Sequence, residues 1–127
     1  QNFYIARLAD ILLLKAAALA NKGDITGAMS QVNIIRTRAG IASISASNQS
    51  DAINKVLEER LMELAFEGDR WFDLKRMGKA IEFLSKQKDG NGNLLPYASN
   101  INQNRLLWPI PQDKLDANAL LTQNPGY

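Results

Sequence analysis

The apolar positions at the start of the chain predict a long, unusually apolar first helix. Residues Phe3–Lys22 contain no Gly or Pro and are dominated by Ala and Leu, which are strong helix formers. The charged positions before its end are only Arg7, Asp10 and Lys15. Because a helix that is apolar on nearly all sides is buried on nearly all sides, we expect part of its surface to contact protein outside this sequence.

A second helix is predicted directly after the first. Gly23 suits the left-handed residue that ends a helix, and Asp24 suits the N-cap of the next one. We therefore predict a helix over about Ile25–Thr37, paired with the first across a tight corner. Its inner face is predicted at helical spacing to contain Ala28, Val32 and Ile35.

The small and polar residues 39–49 predict a loop before a third helix. Ser50 or Asp51 is expected to cap that helix, which is predicted over about Ala52–Glu67. Its apolar stripe consists of Ile53, Val56, Leu57, Leu61 and Leu64. Gly68 is expected to stop it, and shorter helices are predicted for Arg70–Met77 and Lys79–Lys86.

The last third of the chain has a different character. The residues from Asp89 to Asn93 form a turn cluster, and prolines interrupt the remainder. Leu106-Leu107-Trp108 is predicted as a short strand or an extended packing segment. A calcium loop starting at Asp89 is excluded, because the positions that need Gly and Glu hold Leu94 and Asn100.

An internal repeat indicates the fold class. Leu19-Ala20-x-x-Gly23-Asp24 recurs 45 positions later as Leu64-Ala65-x-x-Gly68-Asp69. We predict an all-α fold of tetratricopeptide-like helical hairpins with an irregular Pro/Asn-rich C-terminal extension. Residues 1–127 are predicted to be a single region, with hairpin units at about 3–38 and 51–77 and an irregular tail at about 87–127.

Composition removes several classes of chemistry. The chain has no Cys and no His, so thiolate sites, common zinc sites and imidazole acid–base catalysis are closed to it. The net charge is +2, and the basic residues are scattered, which does not favour binding to nucleic acid. We expect no cofactor and no metal site.

A row of carboxylates is the best candidate for hidden chemistry. Glu59, Glu63 and Glu67 share one helix face, and Glu59 or Glu63 would be catalytic if the protein were a glycoside hydrolase. A network of Arg–Glu pairs that ties the helices together is the favoured interpretation. The arginines expected within reach are Arg36, Arg38, Arg60 and Arg70.

Aromatic side chains are the natural platforms for sugar rings. Trp71 and Trp108 stand among apolar neighbours, so core packing is predicted for both. Tyr97 lies in the polar stretch between Asn93 and Asn104, which favours exposure. Tyr97 is therefore the one candidate ligand-binding residue.

Four ordered blocks resemble the RagB/SusD family. They are Arg7-Leu8-Ala9-Asp10 with Asn33-x-x-Arg36-x-Arg38-Ala39-Gly40, the run from Glu59 to Arg76, Trp108-Pro109-Ile110-Pro111, and Gln123-Asn124-Pro125-Gly126-Tyr127. The family usually has Glu where this chain has Ala17, which questions one local contact of the network.

The resemblance implies the C-terminal helical domain of a larger nutrient-binding lipoprotein that is not an enzyme. Such a protein faces outward on the bacterial outer membrane, lipid-anchored through an N-terminus absent from this chain. It captures oligosaccharides, or in some cases peptides, and delivers them to a TonB-dependent SusC-like transporter. The family's glycan contacts lie largely upstream, so this region is expected to act mainly as scaffold. The alternative is a free-standing helical-repeat module that binds a protein partner.

Overall fold

The computed structural model describes residues 6–127, which divide into two compact units between Asp73 and Leu74. The predicted helix positions before residue 6 lie outside the described residues. The helices are α1 (Leu8–Asn21), α2 (Ile25–Arg38), α3 (Gln49–Glu63), α4 (Arg70–Arg76), α5 (Ala80–Leu84) and α6 (Gln112–Ala117), with a 3-10 turn at Gln103–Leu106. Across residues 6–127 there is no strand, only an isolated bridge between Lys88 and Leu94. The all-α prediction is confirmed.

The α1–α2 corner is built as predicted. Gly23 has a φ of 84°, a left-handed conformation that glycine adopts without steric cost. The Asp24 carboxylate caps α2 by accepting a hydrogen bond from the backbone N–H of Gly27 at 2.8 Å. α1 packs against both α2 and α3, and α2 also contacts α3.

Small side chains let these three helices approach closely. α1 contributes four of the buried alanines, and its fully buried Leu13 joins Val32 of α2 and Val56 and Leu57 of α3. The complete α1 contribution is Ala9, Leu13, Ala16, Ala17 and Ala20. Leu8 and Ile11, also on α1, are exposed. Among residues 6–127, the apolar first helix is therefore left uncovered on the side that carries Leu8 and Ile11.

The loop between α2 and α3 is fastened by side chains. The Asn33 amide binds both the N–H and the carbonyl of Ile44, at 2.8 and 2.9 Å. Asn48, not Ser50 or Asp51, caps α3 by accepting from the N–H of Asp51 at 2.9 Å, so that predicted cap is wrong. An Asn side chain reaches the orphan N–H groups as well as Ser or Asp does, and the helix begins one position after it.

The end of α3 also differs from its prediction. The helix stops at Glu63 instead of Glu67, because the chain turns into left-handed conformations at Phe66, with a φ of 68°, and at Gly68, with a φ of 88°. A bulky residue in this region is strained, and Phe66 is also fully exposed. The Gly68–Asp69 corner still precedes α4, although the helix before it is shorter than its counterpart in the first hairpin.

Side-chain amides organise the second unit. The Gln123 amide binds both the N–H and the carbonyl of Ile110, at 2.8 and 2.9 Å, and Asn124 donates to the Trp108 carbonyl at 2.6 Å. The tail contains the short helix α6, which the prediction of an irregular segment missed. Leu107 has extended backbone angles, in agreement with the extended alternative.

Among residues 6–127, no helix combines the length and apolar character needed to cross a membrane.

Candidate functional site

Arg60, which follows Glu59 on α3, is the centre of a buried ion-pair cluster. This guanidinium is 3% exposed and contacts the Asp73 carboxylate at 2.6 Å and the Asp10 carboxylate at 2.8 Å. Burial opposes the charge on Arg60, but these hydrogen bonds outweigh it and raise its pKa. Arg60 therefore joins α1, α3 and α4 within the first unit, and its partners are aspartates instead of the predicted glutamates.

The three glutamates of the row, Glu59, Glu63 and Glu67, are also paired with arginine. Arg36 of α2 reaches Glu59 at 2.8 Å. Arg38, also of α2, reaches Glu63 at 2.5 Å. Together with the Arg60 cluster, these contacts form what we call the Arg–carboxylate network. Its members are Arg7, Asp10, Arg36, Arg38, Glu59, Arg60, Glu63, Glu67 and Asp73.

Arg7 completes the network from the N-terminal end of α1. Its guanidinium contacts the carboxylate and the backbone carbonyl of Glu63 and lies 2.7 Å from the Glu67 carboxylate. Hydrogen bonds to Glu67 and Glu63 raise the pKa of Arg7 above its ordinary value.

Arg70, the fourth arginine expected near the row, instead donates to the Leu57 carbonyl at 2.7 Å. Ala17, where the family usually has Glu, is buried, and each arginine of the network still has a carboxylate partner.

This electrostatic environment does not suit a general acid. Burial pushes the Glu63 carboxyl toward its neutral form, but hydrogen bonds from Arg7 and Arg38 overcome that effect and lower its pKa. A glycosidase acid requires the opposite shift, toward a pKa raised enough to hold a proton near neutral pH. Glu59, the other catalytic candidate, is held by Arg36. These contacts instead support a structural role, in which ion pairs hold the helices together.

The polar turn after α5 is stabilised by the carboxylate of Asp89. The Asp89 carboxylate accepts from the N–H groups of Asn91 and Asn93, both at 2.9 Å. These bonds, mainly the one from Asn93, lower the pKa of Asp89. Within residues 6–127 no group of three or more Asp and Glu side chains is placed to hold a metal ion.

The two tryptophans differ in burial. Trp71 is half-buried, whereas Trp108 is 82% exposed, so core packing within this chain is wrong for Trp108. Asn124 donates to the Trp108 carbonyl and Tyr127 donates to the Leu107 carbonyl, so the main chain is held there while the Trp108 side chain stays exposed.

Tyr97 is exposed as predicted and borders a shallow depression. Its ring is 48% exposed, and its hydroxyl donates to the Gln87 amide oxygen. The depression has a volume of about 560 Å³ and is lined by Tyr97, Asn100, Ile101, Asn102 and Arg105. A partly exposed aromatic ring beside amides and a guanidinium is a combination suited to polar ligands.

Several of these residues were missed by the sequence reasoning. Arg7 and Asp10 were not assigned to the network, because their partners lie 50 or more positions away along the chain. Asp73 was not assigned, because the arginines were expected to pair with glutamates. Arg105 was overlooked next to Tyr97, although both stand in the same polar segment. A charged residue within a helix as apolar as α1 is the one signal that could have identified Asp10.

The SusD family model matches residues 1–127, the whole length of the chain. The SusD-like proteins P38 and P2 of Formosa agariphila are 33% and 36% identical to it, each over 99% of this chain. These matches cover 25% and 26% of the two relatives, so the chain spans about a quarter of their length.

Solved structures agree with this assignment. A SusD superfamily protein from Bacteroides vulgatus matches 96% of this chain and 27% of its own, with a TM-score of 0.76 and 30% identity. A SusD-like protein from Bacteroides fragilis matches 94% of this chain and 25% of its own, with a TM-score of 0.73 and 29% identity. The helical, tetratricopeptide-like prediction is confirmed by these likenesses.

Proposed function

Because the chain belongs to the SusD family, we propose that it forms part of a protein that binds nutrient glycans at the bacterial cell surface. The observation that carries this proposal is the family match over the complete chain. In this proposal the protein lies on the outer membrane as an outward-facing lipoprotein. It delivers bound oligosaccharide to a TonB-dependent SusC-like transporter.

Within such a protein, this region acts mainly as scaffold. The Arg–carboxylate network supports that role, because its charged side chains are engaged with one another across α1, α2, α3 and α4. Side chains committed in this way are poorly available to a ligand. The loop after α2 is similarly engaged through Asn33 and Arg36, which bind the main chain at Ile44 and Ala42.

The exposed apolar side chains support a larger assembly. Leu8 and Ile11 on α1, Phe66 after α3, and Trp108 and Leu120 in the second unit are all exposed. Large apolar side chains left in water in such numbers are typical of surfaces that contact other protein. We propose that the remainder of a longer SusD-like polypeptide covers part of this surface.

Binding without catalysis is the proposed activity. The lowered pKa of Glu63 and the Arg36 partner of Glu59 oppose a hydrolase mechanism at the carboxylate row of Glu59, Glu63 and Glu67. The helical-repeat alternative shares the α1–α2 hairpin. However, the short α4 and the early end of α3 give it less support than a regular stack of hairpins would.

Native affinity electrophoresis through a panel of polysaccharides tests the proposal. This chain should be run beside the longer protein that carries it, with bovine serum albumin as the unretarded reference. We expect a polysaccharide of the panel to retard the longer protein and to retard this chain weakly or not at all. Failure of every polysaccharide to retard the longer protein would contradict glycan binding. Equal retardation of both would contradict the scaffold role and direct mutagenesis to Tyr97.

A further inference from the structure

Arg105 differs from the arginines of the Arg–carboxylate network. Arg7, Arg36, Arg38 and Arg60 each contact a carboxylate, whereas Arg105 has none within ion-pair distance among residues 6–127. Its guanidinium N–H groups donate to no residue in that described range. In a unit held together by hydrogen bonds, this cation retains its full capacity to bind an anion.

The guanidinium is nevertheless held in place. Its central carbon lies 4.7 Å from the centroid of the Tyr127 ring, within the range of a cation–π contact. Tyr127 is itself fixed, because its hydroxyl donates to the Leu107 carbonyl at 2.9 Å. The main chain at Arg105 is fixed by Asn102, whose carbonyl accepts from the Arg105 N–H at 3.1 Å. A preorganised cation loses less conformational entropy when it binds.

The neighbouring groups in the depression suit a sugar better than a free inorganic ion. Tyr97 presents a half-exposed ring, and the side-chain amide of Asn100 makes no hydrogen bond to a described residue. An aromatic face can pack on the C–H face of a sugar ring, and an uncommitted amide can donate to and accept from hydroxyls. The volume of about 560 Å³ lies within the range of small-molecule sites.

We propose that this depression is a subsite for an anionic saccharide. Arg105 pairs with a carboxylate or sulfate ester of the sugar, Tyr97 packs against its ring, and Asn100 binds a hydroxyl. The planar guanidinium matches both of these oxyanions through two parallel hydrogen bonds. The inference rests on the proposed glycan-binding function and narrows it to acidic glycans.

Isothermal titration calorimetry of this chain with three hexasaccharides tests the subsite. Maltohexaose is the neutral probe, sulfated maltohexaose carries the same backbone with sulfate esters, and hexagalacturonate carries carboxylates. At low ionic strength we expect at least one anionic probe to bind about tenfold more tightly than maltohexaose, as a charge-assisted hydrogen bond predicts. The anionic probe that binds more tightly identifies which oxyanion the subsite prefers.

Variants assign the effect to Arg105. Arg105→Gln should remove the preference for the anionic probes, and Arg105→Lys should restore part of it, since a point charge cannot pair bidentately. Lys114→Gln is the matched control: it removes one positive charge from the same unit at an exposed side chain whose partner is its neighbour Asp113. Circular dichroism melts should differ little among these variants, because Arg105 makes no ion pair within residues 6–127 and the Lys114–Asp113 pair is exposed.

Two outcomes would overturn the inference. In the first, the neutral and anionic probes bind with equal affinity, or no probe binds at all. The other is an equal loss of affinity in Arg105→Gln and Lys114→Gln, which would mean that overall charge, not this subsite, attracts the anion. Retardation of the longer protein by a polysaccharide alongside either outcome would leave the proposed function intact and remove only the anionic subsite.

Discussion

The unit that ends at Asp73 buries an alanine-rich core, whereas the unit that starts at Leu74 buries few side chains. In the first unit, fully buried residues on all three long helices interlock, and Arg60 adds a buried ion pair. In the second, the buried side chains are Leu74, Ala80 and Ala98. Its order instead comes from amide side chains bound to the main chain. Apolar packing and buried charge stabilise one unit, and hydrogen bonds that are exposed or only partly buried stabilise the other.

The two units are therefore expected to differ in how they respond to substitution and how easily they open locally. A buried apolar core resists substitution of its members, while a surface held by solvent-exposed hydrogen bonds opens locally at low cost. Functional groups are drawn from such less stable regions. Tyr97 and Arg105, the residues of the proposed subsite, lie in the second unit.

Removing the buried cation is expected to have the largest effect. Arg60→Ala removes the buried cation that contacts the Asp73 carboxylate at 2.6 Å and the Asp10 carboxylate at 2.8 Å. Breaking one member of a buried pair costs about 3–5 kcal/mol of unfolding free energy. Urea denaturation followed by circular dichroism measures it. Arg105→Ala is the comparison in the second unit, where the loss should stay below about 1 kcal/mol. Equal losses would contradict the contrast between the two units.

A matched pair of leucines tests the contrast in apolar burial. Leu57 is fully buried, and Leu120 is 91% exposed. Leu57→Ala should cost about 2–5 kcal/mol, because it removes transfer energy and leaves a cavity. Leu120→Ala should change the unfolding free energy by less than about 0.5 kcal/mol. Melting curves of the two variants measure the difference. A large effect at Leu120 would show that the second unit has an apolar core involving this side chain.

Some of the helix boundaries and caps can be predicted from the sequence, and others cannot. Helical spacing and the Gly23–Asp24 corner located α1 and α2 because both signals are local. The early end of α3 at Glu63 was missed, since left-handed conformation at Phe66 contradicts the preference of a bulky residue. Asn48 was missed as the cap because Ser50 and Asp51 carry an equally good signal.

The residues of the candidate site are likewise only partly predictable from the sequence. The Glu59–Glu63–Glu67 row was found because helical periodicity places these side chains on one face. Arg7, the partner of Glu63 and Glu67, lies 56 positions from Glu63, and only the packing of α1 on α3 brings them together. The exposure of Trp108 was missed because an apolar neighbourhood in sequence does not show whether enough protein surrounds the residue to bury it.

A pH titration of Glu63 is expected to show an intermediate effect. Because Arg7 and Arg38 lower its folded pKa, its contribution is fully present above the unfolded pKa of about 4.3 and disappears as pH falls through the lower folded value. At pH 7 Glu63→Gln should cost about 1.5 kcal/mol, the value of a hydrogen bond to a charged group. The two melting temperatures should converge toward pH 2. A gap that stays constant with pH would mean that the charge of Glu63 is unimportant.

The smallest effect is expected for Glu67, the exposed end of the network. Its side chain is 41% exposed, and Arg7, its partner at 2.7 Å, keeps a second carboxylate in Glu63 when Glu67 is removed. Water screens such a pair, so Glu67→Gln should cost about 0.2–1 kcal/mol and less at high salt. The sequence predicts Glu67 and Arg60 as members of one network. Their exposure distinguishes them, because the Glu67 side chain is 41% exposed and the Arg60 side chain is 3% exposed. Denaturation with and without added sodium chloride measures this. A salt-independent loss as large as that of Arg60→Ala would mean that Glu67 belongs to the buried part of the network and that the first unit excludes water up to Phe66.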